Sequence, residues 1–196
     1  NSFFTIQLLT VLFEENILFR DEEGIWQWDE KLLLSRNISD NVVEMLVQKI
    51  TALSTGLQTY LKTASCLGDA FDLKTLSLLA GEKMNTVAGE LSTAVNMGYL
   101  ISMDENLDAF FRVATFAEDE EINKFPNTRF RFSHDRVRQA SLSQISTSEL
   151  SELNLNAARI KTKYLSEQET EEDLFYIANH FIAGETLIKD VAENMQ

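Results

Sequence analysis

The stretch that decides the fold reads Arg129-Phe130-Arg131-Phe132-Ser133-His134-Asp135-Arg136-Val137-Arg138-Gln139-Ala140. Its first four residues alternate cations with phenylalanines, which is typical of a half-buried strand because successive side chains point to opposite faces. The pattern then changes, and residues 135–145 are predicted to form a helix. A second β-rich run at residues 99–103 is predicted to pair with the strand, across a long, mobile, acidic connection.

Three helical patterns precede this hairpin. The first begins at Ser54 or Thr55, and the three end in turn at Gly68, Gly81 and Gly98, as expected because glycine suits the left-handed residue that closes a helix. Three helices followed by a two-stranded hairpin are the order of a winged helix, whose second and third helices form the helix-turn-helix. Residues 54–145 are therefore predicted to be a winged-helix domain.

The flanking segments are also mainly helical. Residues 1–53 predict an amphipathic helix, a short hairpin and a further helix, and residues 146–196 predict antiparallel helices that resemble the start of a tetratricopeptide-like array. Apolar periodicity is already present at Phe3 and is still running at Met195, so we expect a piece of a longer protein. The predicted fold class is mainly α with small β-hairpins.

Charge and composition exclude several classes of protein. The formal net charge is −14 and the sequence pI is about 4.5, a poor match for nucleic acid or for an anionic membrane surface. Because Cys66 is the single cysteine, no internal disulfide can form, and we interpret it as a buried helix cysteine in a reducing compartment. No apolar run approaches the roughly 20 residues of a membrane helix. These features predict a cytoplasmic location.

Several segments together resemble one family. Residues 130–140 resemble the segment that follows the ATPase in signal-transduction ATPases with numerous domains, the STAND class, and above all in large bacterial multidomain sensor kinases. Residues 1–4 and 38–43 resemble the openings of two helices in the lid of that ATPase. Residues 64–73 resemble the first winged-helix turn, and residues 174–180 resemble the helical region beyond. Ser2 and Ser133 depart from the family pattern, which expects proline and a larger apolar residue there.

The resemblance implies a division into an ATPase lid at residues 1–53, the winged helix at 54–145 and a helical array at 146–196. It also implies that ATP or ADP, with magnesium, is bound by a core upstream of Asn1. The sequence contains no Gly-x-x-x-x-Gly-Lys-Ser/Thr phosphate loop. We therefore expect this chain to be no enzyme by itself, whereas the parent protein is expected to be an ATPase and is a candidate protein kinase.

His134-Asp135 is the pair that could carry chemistry. It resembles the Met-His-Asp motif of nucleotide-switch proteins of the same class, which implies that His134 contacts the phosphates of bound ADP. An imidazole can donate a hydrogen bond to a phosphate oxygen, and Asp135 is placed to cap a helix N-terminus. The alternative is that His134 only caps or packs at the junction of strand and helix.

Four arginines surround this pair, at Arg129, Arg131, Arg136 and Arg138. They could face the ATPase core or its nucleotide. They could also serve DNA binding, the second interpretation of a winged helix, but the predicted recognition helix offers Lys83 as its one cation. We expect no nucleic-acid partner.

Three further residues are candidate sites. His180 lies beside an apolar stripe and is interpreted as structural, and no metal site is predicted because neither histidine has ligands at suitable spacing. Trp26 and Trp28 share one face of a predicted strand, where they either form a binding platform or pack on the neighbouring helix.

The sequence thus predicts a regulatory unit that couples the nucleotide state of an upstream ATPase core to downstream signalling domains of a sensor kinase. The remaining alternatives are a DNA-binding winged helix and a protein-interaction scaffold without any link to nucleotide.

Overall fold

The computed structural model describes residues 2–35, 38–104, 111, 128–163 and 171–188. Helices dominate them, in the order α1 (Ser2–Glu14), α2 (Glu30–Ser35), α3 (Ile38–Thr51), α4 (Thr55–Leu67), α5 (Leu73–Ala80), α6 (Met84–Asn96), α7 (Asp135–Leu142), α8 (Thr147–Lys163) and α9 (Glu171–Gly184). A short 3₁₀ turn, Glu185–Leu187, follows α9. The five strands are β1 (Leu18–Arg20), β2 (Trp26–Trp28), β3 (Ala70–Asp72), β4 (Leu100–Ser102) and β5 (Arg129–Phe132). The mainly α fold class is confirmed.

Two antiparallel sheets interrupt the helices. The first is the predicted hairpin of β1 and β2. The second has three strands in the order β3-β5-β4, so β5 is central and pairs with both neighbours. The sequence predicted only two of these strands, because residues 70–72 lie between two strong helical patterns and form a strand only by pairing with β5.

Helix ends largely follow the predicted signals. Ser54 caps α4, and its Oγ accepts a hydrogen bond from the backbone N–H of Leu57 at 3.2 Å. Gly81 closes α5 at φ 68°, a left-handed conformation that favours glycine, and its N–H bonds the carbonyls of the last turn. The helix predicted over residues 135–145 is shorter and ends at Leu142. The acidic connection between β4 and β5 lies outside the described residues, apart from its ends and Phe111. The helical pattern that the sequence predicts through Met195 is described only as far as residue 188.

One hydrophobic core joins the parts of the chain. Phe130 on the central strand is fully buried and stacks with Phe71 at 6.0 Å between ring centroids. The same core takes Leu46 and Ile50 from α3 and Ala157 from α8. Helix α3 packs on α7, and α8 packs on α5 and α9. The division at residues 53 and 145 stays a prediction, since this core runs across both positions.

Candidate functional site at the junction of β5 and α7

His134 lies where the central strand turns into α7. Its backbone is extended, with φ −158° and ψ 145°, so the following residues can begin the helix. The ring Nδ1 accepts a hydrogen bond from the backbone N–H of Arg136 at 3.1 Å. His134 is therefore the N-cap of α7, whereas Asp135, for which the sequence predicted this role, is the exposed first helical residue.

This capping bond determines where the imidazole carries its proton. A nitrogen that accepts a hydrogen bond has no proton, so in the neutral ring of His134 the proton is on Nε2. The side chain is half-buried, with part of it at the surface. Capping and donation to an outside acceptor use different nitrogens, so the two interpretations of His134 are compatible.

The strand before His134 separates its side chains by face. Phe130 and Phe132 are buried, whereas Arg129 and Arg131 are exposed. Arg131 lies opposite Ala70 on one neighbouring strand and Ile101 on the other. The outer face of the three-stranded sheet therefore presents two guanidinium groups on a chain that is strongly acidic as a whole.

The other two arginines of the predicted cluster make contacts within the fold. The Nε of Arg138 donates to the carbonyl oxygen of Ser65 at 3.0 Å, and its Nη1 lies 3.2 Å from Oδ1 of Asp69. The Nη1 of Arg136 donates to Oε1 of Gln139 at 2.9 Å. Arg138 thus holds the C-terminal end of α4, and the orientation of the four arginines towards an ATPase core stays a prediction.

The predicted recognition helix, α6, offers little to DNA. Its residues include no lysine or arginine, and Lys83 is only its N-cap. Glu90 on this helix accepts a hydrogen bond from Ser54 Oγ at 2.8 Å, so it supports the start of α4. A helix that reads the major groove is expected to carry cations near the phosphates.

His180 belongs to the packing between α8 and α9. Its Nδ1 lies 2.6 Å from Oδ1 of Asn154, and Tyr176 packs on the ring at 4.3 Å between centroids. Asn154 Nδ2 donates to the carbonyl of Leu150, so its Oδ1 faces the histidine and Nδ1 is the donor. Burial lowers the pKa of His180 to about 4, and the ring is neutral at pH 7. The structural interpretation of His180 fits this geometry.

Asp72 and Lys161 form a buried link that the sequence analysis missed. Asp72 ends β3 and caps α5, with its Oδ1 accepting from the backbone N–H of Thr75 at 2.7 Å. Its Oδ2 lies 3.1 Å from Nζ of Lys161 on α8. An aspartate three residues before a threonine at the start of an apolar helix could have indicated the cap. Nothing local could have indicated the lysine, which is 89 positions away along the chain.

Cys66 is buried, and its burial raises the thiol pKa to about 11, so it is not a reactive thiol. Within the part of the chain that the structure describes, no group of three or more histidine, cysteine, aspartate or glutamate side chains could hold a metal ion. In the same residues, no helix is long and apolar enough to cross a membrane.

Comparison with known proteins gives one informative match. The chain is 26% identical over 226 aligned positions to hybrid signal transduction histidine kinase G of Dictyostelium discoideum. The chain is similar to a segment of a signalling protein. The match covers 100% of this chain but 7% of the relative, so the chain spans a small part of that protein's length. No protein-family profile matches the chain, and no solved structure does.

Proposed function

We propose that this chain is the regulatory part of a STAND-type signalling ATPase. In this proposal the lid at residues 1–53 and the winged helix at 54–145 close over ATP or ADP held, with magnesium, by an upstream core of the same chain. The helices from residue 146 onward transmit the resulting movement to downstream signalling domains of a cytoplasmic multidomain sensor kinase. Such coupling requires the two nucleotide states to bind this unit with different free energies.

The observation that carries the proposal is the position of His134. Its Nδ1 accepts the hydrogen bond that caps α7, at the half-buried junction of β5 and α7, and in the proposal the Nε2–H donates to a phosphate oxygen when nucleotide is bound. Arg129 and Arg131 lie on the exposed face of the strand that leads directly to it. Guanidinium groups and an imidazole N–H donor suit the phosphates of a nucleotide, but these residues do not form a phosphate cradle, which the core must supply.

Two further findings support it. The strand β3, between α4 and α5, joins β5 and β4 in one three-stranded sheet. A three-stranded sheet with the helices α4, α5 and α6 fits a winged helix better than an isolated hairpin would. The similarity to a segment of a hybrid histidine kinase agrees with a place inside a large signalling protein. Arg136 and Arg138 are less suited to face the core, because both already have partners within this fold.

The test uses a longer chain of the parent protein that restores the preceding core. The nucleotide retained after purification and the rate of ATP turnover are measured for the wild type, His134→Ala and His134→Ser. Serine keeps an N-cap oxygen but has no imidazole. The proposal predicts that both variants lose ADP or turn over ATP faster. If the serine variant retains as much ADP as the wild type and turns over ATP at the same rate, His134 is only a cap and its role as a nucleotide contact fails.

A further inference from the structure

An exposed apolar surface runs from α1 onto the first hairpin. Ile6, Leu9 and Phe13 follow one another at spacings of three and four residues, so they form one ridge of α1. The ridge is exposed, with Phe13 53% accessible, and it continues to Trp26 and Trp28, which are 45% and 60% accessible. We call these five residues the tryptophan face.

Contacts among its members make the tryptophan face continuous. The ring of Phe13 meets that of Trp26 edge to face, with centroids 5.8 Å apart. Pairing of Leu18 with Trp28 and of Arg20 with Trp26 places both indoles on the same side of the hairpin. The guanidinium carbon of Arg20 lies 4.5 Å from the centroid of Trp26. The hairpin is thus held against the end of α1, and both tryptophans remain exposed.

Such a surface is unusual for a region without a partner. An aromatic side chain that stays in water forgoes the favourable free energy of burying its apolar surface. Contiguous exposed apolar patches mark interaction sites. Tryptophan is also enriched among the residues that dominate binding energies at interfaces. The packing interpretation of Trp26 and Trp28 is therefore incomplete, since Trp26 stays 45% accessible despite its contact with Phe13, and Trp28 stays 60% accessible.

The charges around the tryptophan face restrict the partner. Residues 2–35 contain seven carboxylates and two cations. Exposed acids flank each part of the surface in the chain: Glu14 after Phe13, Glu22 and Glu23 in the turn before Trp26, and Glu30 after Trp28. A second copy of this chain would bring like charges together, and an anionic lipid surface would be repelled.

We propose that the tryptophan face docks an amphipathic helix of a separate partner protein, whose apolar stripe is flanked by lysine and arginine. The ridge from Ile6 to Phe13 extends for about 10 Å along α1, at 1.5 Å per residue, which matches two turns of a helix laid alongside it. The basic flanks meet the carboxylates at the edges of the surface. This docking is inferred from the surface itself and does not rest on the nucleotide switch.

Trp26 and Trp28 are the only two tryptophans of the chain, so intrinsic fluorescence reports directly on the surface. The probe is an amphipathic peptide of about 18 residues (roughly five helical turns), free of tryptophan, with a leucine and phenylalanine stripe flanked by lysine and arginine. A matched peptide has the same stripe flanked by glutamate. The basic peptide is expected to shift the emission to shorter wavelength in a saturable manner, with weaker binding at high salt. The acidic peptide is expected to cause no shift.

Variants separate the surface from the rest of the chain. Trp28→Ser is expected to weaken binding of the basic peptide roughly tenfold or more, with Trp26 still available as the reporter. The double change Glu22→Gln and Glu23→Gln is expected to weaken binding and to reduce its dependence on salt. Ile182→Ser, at a residue 65% accessible on α9, is the matched control and is expected to bind as the wild type does. Thermal melts confirm that each variant is folded.

Four results would overturn the proposal. The first is that the basic and acidic peptides bind equally, and the second is that Trp28→Ser binds the basic peptide as the wild type does. In the third, the emission shifts with protein concentration alone, and sedimentation shows that the surface joins two copies of the chain. In the fourth, vesicles of phosphatidylserine and phosphatidylcholine shift the emission while the basic peptide does not, and the surface then contacts lipid.

Discussion

The Nζ of Lys161 lies 3.1 Å from Oδ2 of Asp72 and joins α8 to the start of α5. The carboxylate also accepts from the backbone N–H and the hydroxyl of Thr75. Only about a tenth of the Asp72 side chain is accessible to solvent. This ion pair therefore connects the predicted winged helix to the helices that follow it.

Removal of Asp72 is expected to destabilise the fold strongly. Asp72→Ala leaves the partly exposed Lys161 without its carboxylate and removes the cap of α5, and we expect a loss of about 2–4 kcal/mol in the free energy of unfolding. Lys161→Met should cost less, because the two bonds from Thr75 still satisfy the carboxylate. Urea unfolding followed by circular dichroism measures both. Equal stability of the wild type and Asp72→Ala would contradict a structural role for the pair.

The same carboxylate makes stability depend on pH. Burial raises the pKa of Asp72, but the charge of Lys161 and the bonds from Thr75 outweigh it, so the net pKa lies below 3.8. The contribution is therefore complete above about pH 4 and is lost as the pH falls through the folded-state value. At a pH below the folded-state pKa of Asp72, the difference in the free energy of unfolding between the wild type and Asp72→Asn should become smaller.

His180 should make the free energy of unfolding decrease over a different pH range from that of Asp72. Because burial lowers its pKa from 6.5 to about 4, the unfolded chain binds a proton that the folded chain does not. Stability from this group is full above about pH 6.5 and decreases down to about pH 4, by up to ~3 kcal/mol. Urea unfolding at several pH values measures the slope.

His180→Gln is the control for this effect, since it keeps an amide that can bond Asn154 but cannot titrate. In this variant the slope between pH 6.5 and 4 should largely disappear. An unchanged slope would assign the effect to other groups.

Gly184 is expected to tolerate no side chain. A Cβ there would lie 2.8 Å from the Cβ of Leu155 and 3.0 Å from the carbonyl oxygen of Ser151, so α8 and α9 would have to separate. We expect Gly184→Ala to cost about 1–3 kcal/mol, as overpacking does. Gly89→Ala on α6 is the matched control, because a Cβ there meets nothing within 4 Å. That change should stabilise the chain by about 0.5–1 kcal/mol, and thermal unfolding distinguishes the two.

The cap formed by His134 can be tested without nucleotide. His134→Ala removes the acceptor for the backbone N–H of Arg136 and should cost about 1 kcal/mol, whereas His134→Ser should restore most of this stability. Chemical unfolding of the present chain gives both values. Equal losses in the two variants would mean that the imidazole stabilises the junction by packing rather than by capping.

Much of the fold followed from local pattern. Alternation at residues 129–132 predicted which side chains of β5 are buried, and Ser54 and Gly81 marked the ends of their helices. The short strand β3 was missed, since residues 70–72 lie between two strong helical patterns and form a strand only through the pairing of Phe71 with Phe130. The helix α2, at residues 30–35, was missed because six residues show too little helical periodicity.

The candidate site was predictable only in part. The sequence identified His134 as a residue of the junction between strand and helix, but it assigned the cap to Asp135, which the rotation of the first turn leaves exposed. It also grouped four arginines, and it could not indicate that Arg136 and Arg138 have partners within the fold. Arg138 contacts Ser65 and Asp69 because the C-terminal end of α4 packs against α7 in the folded chain.

The sequence by itself determined the helices other than α2, the glycine ends of α4 and α5, and the faces of the central strand, because each depends on residues a few positions apart. It also determined the acidic character of the chain. Only the tertiary structure decided the pairing of β3, the bond from Lys161 to Asp72 and the contact of His180 with Asn154. These contacts join residues 26 to 89 positions apart along the chain. Their energies depend on burial and on distances that exist only after the helices have packed.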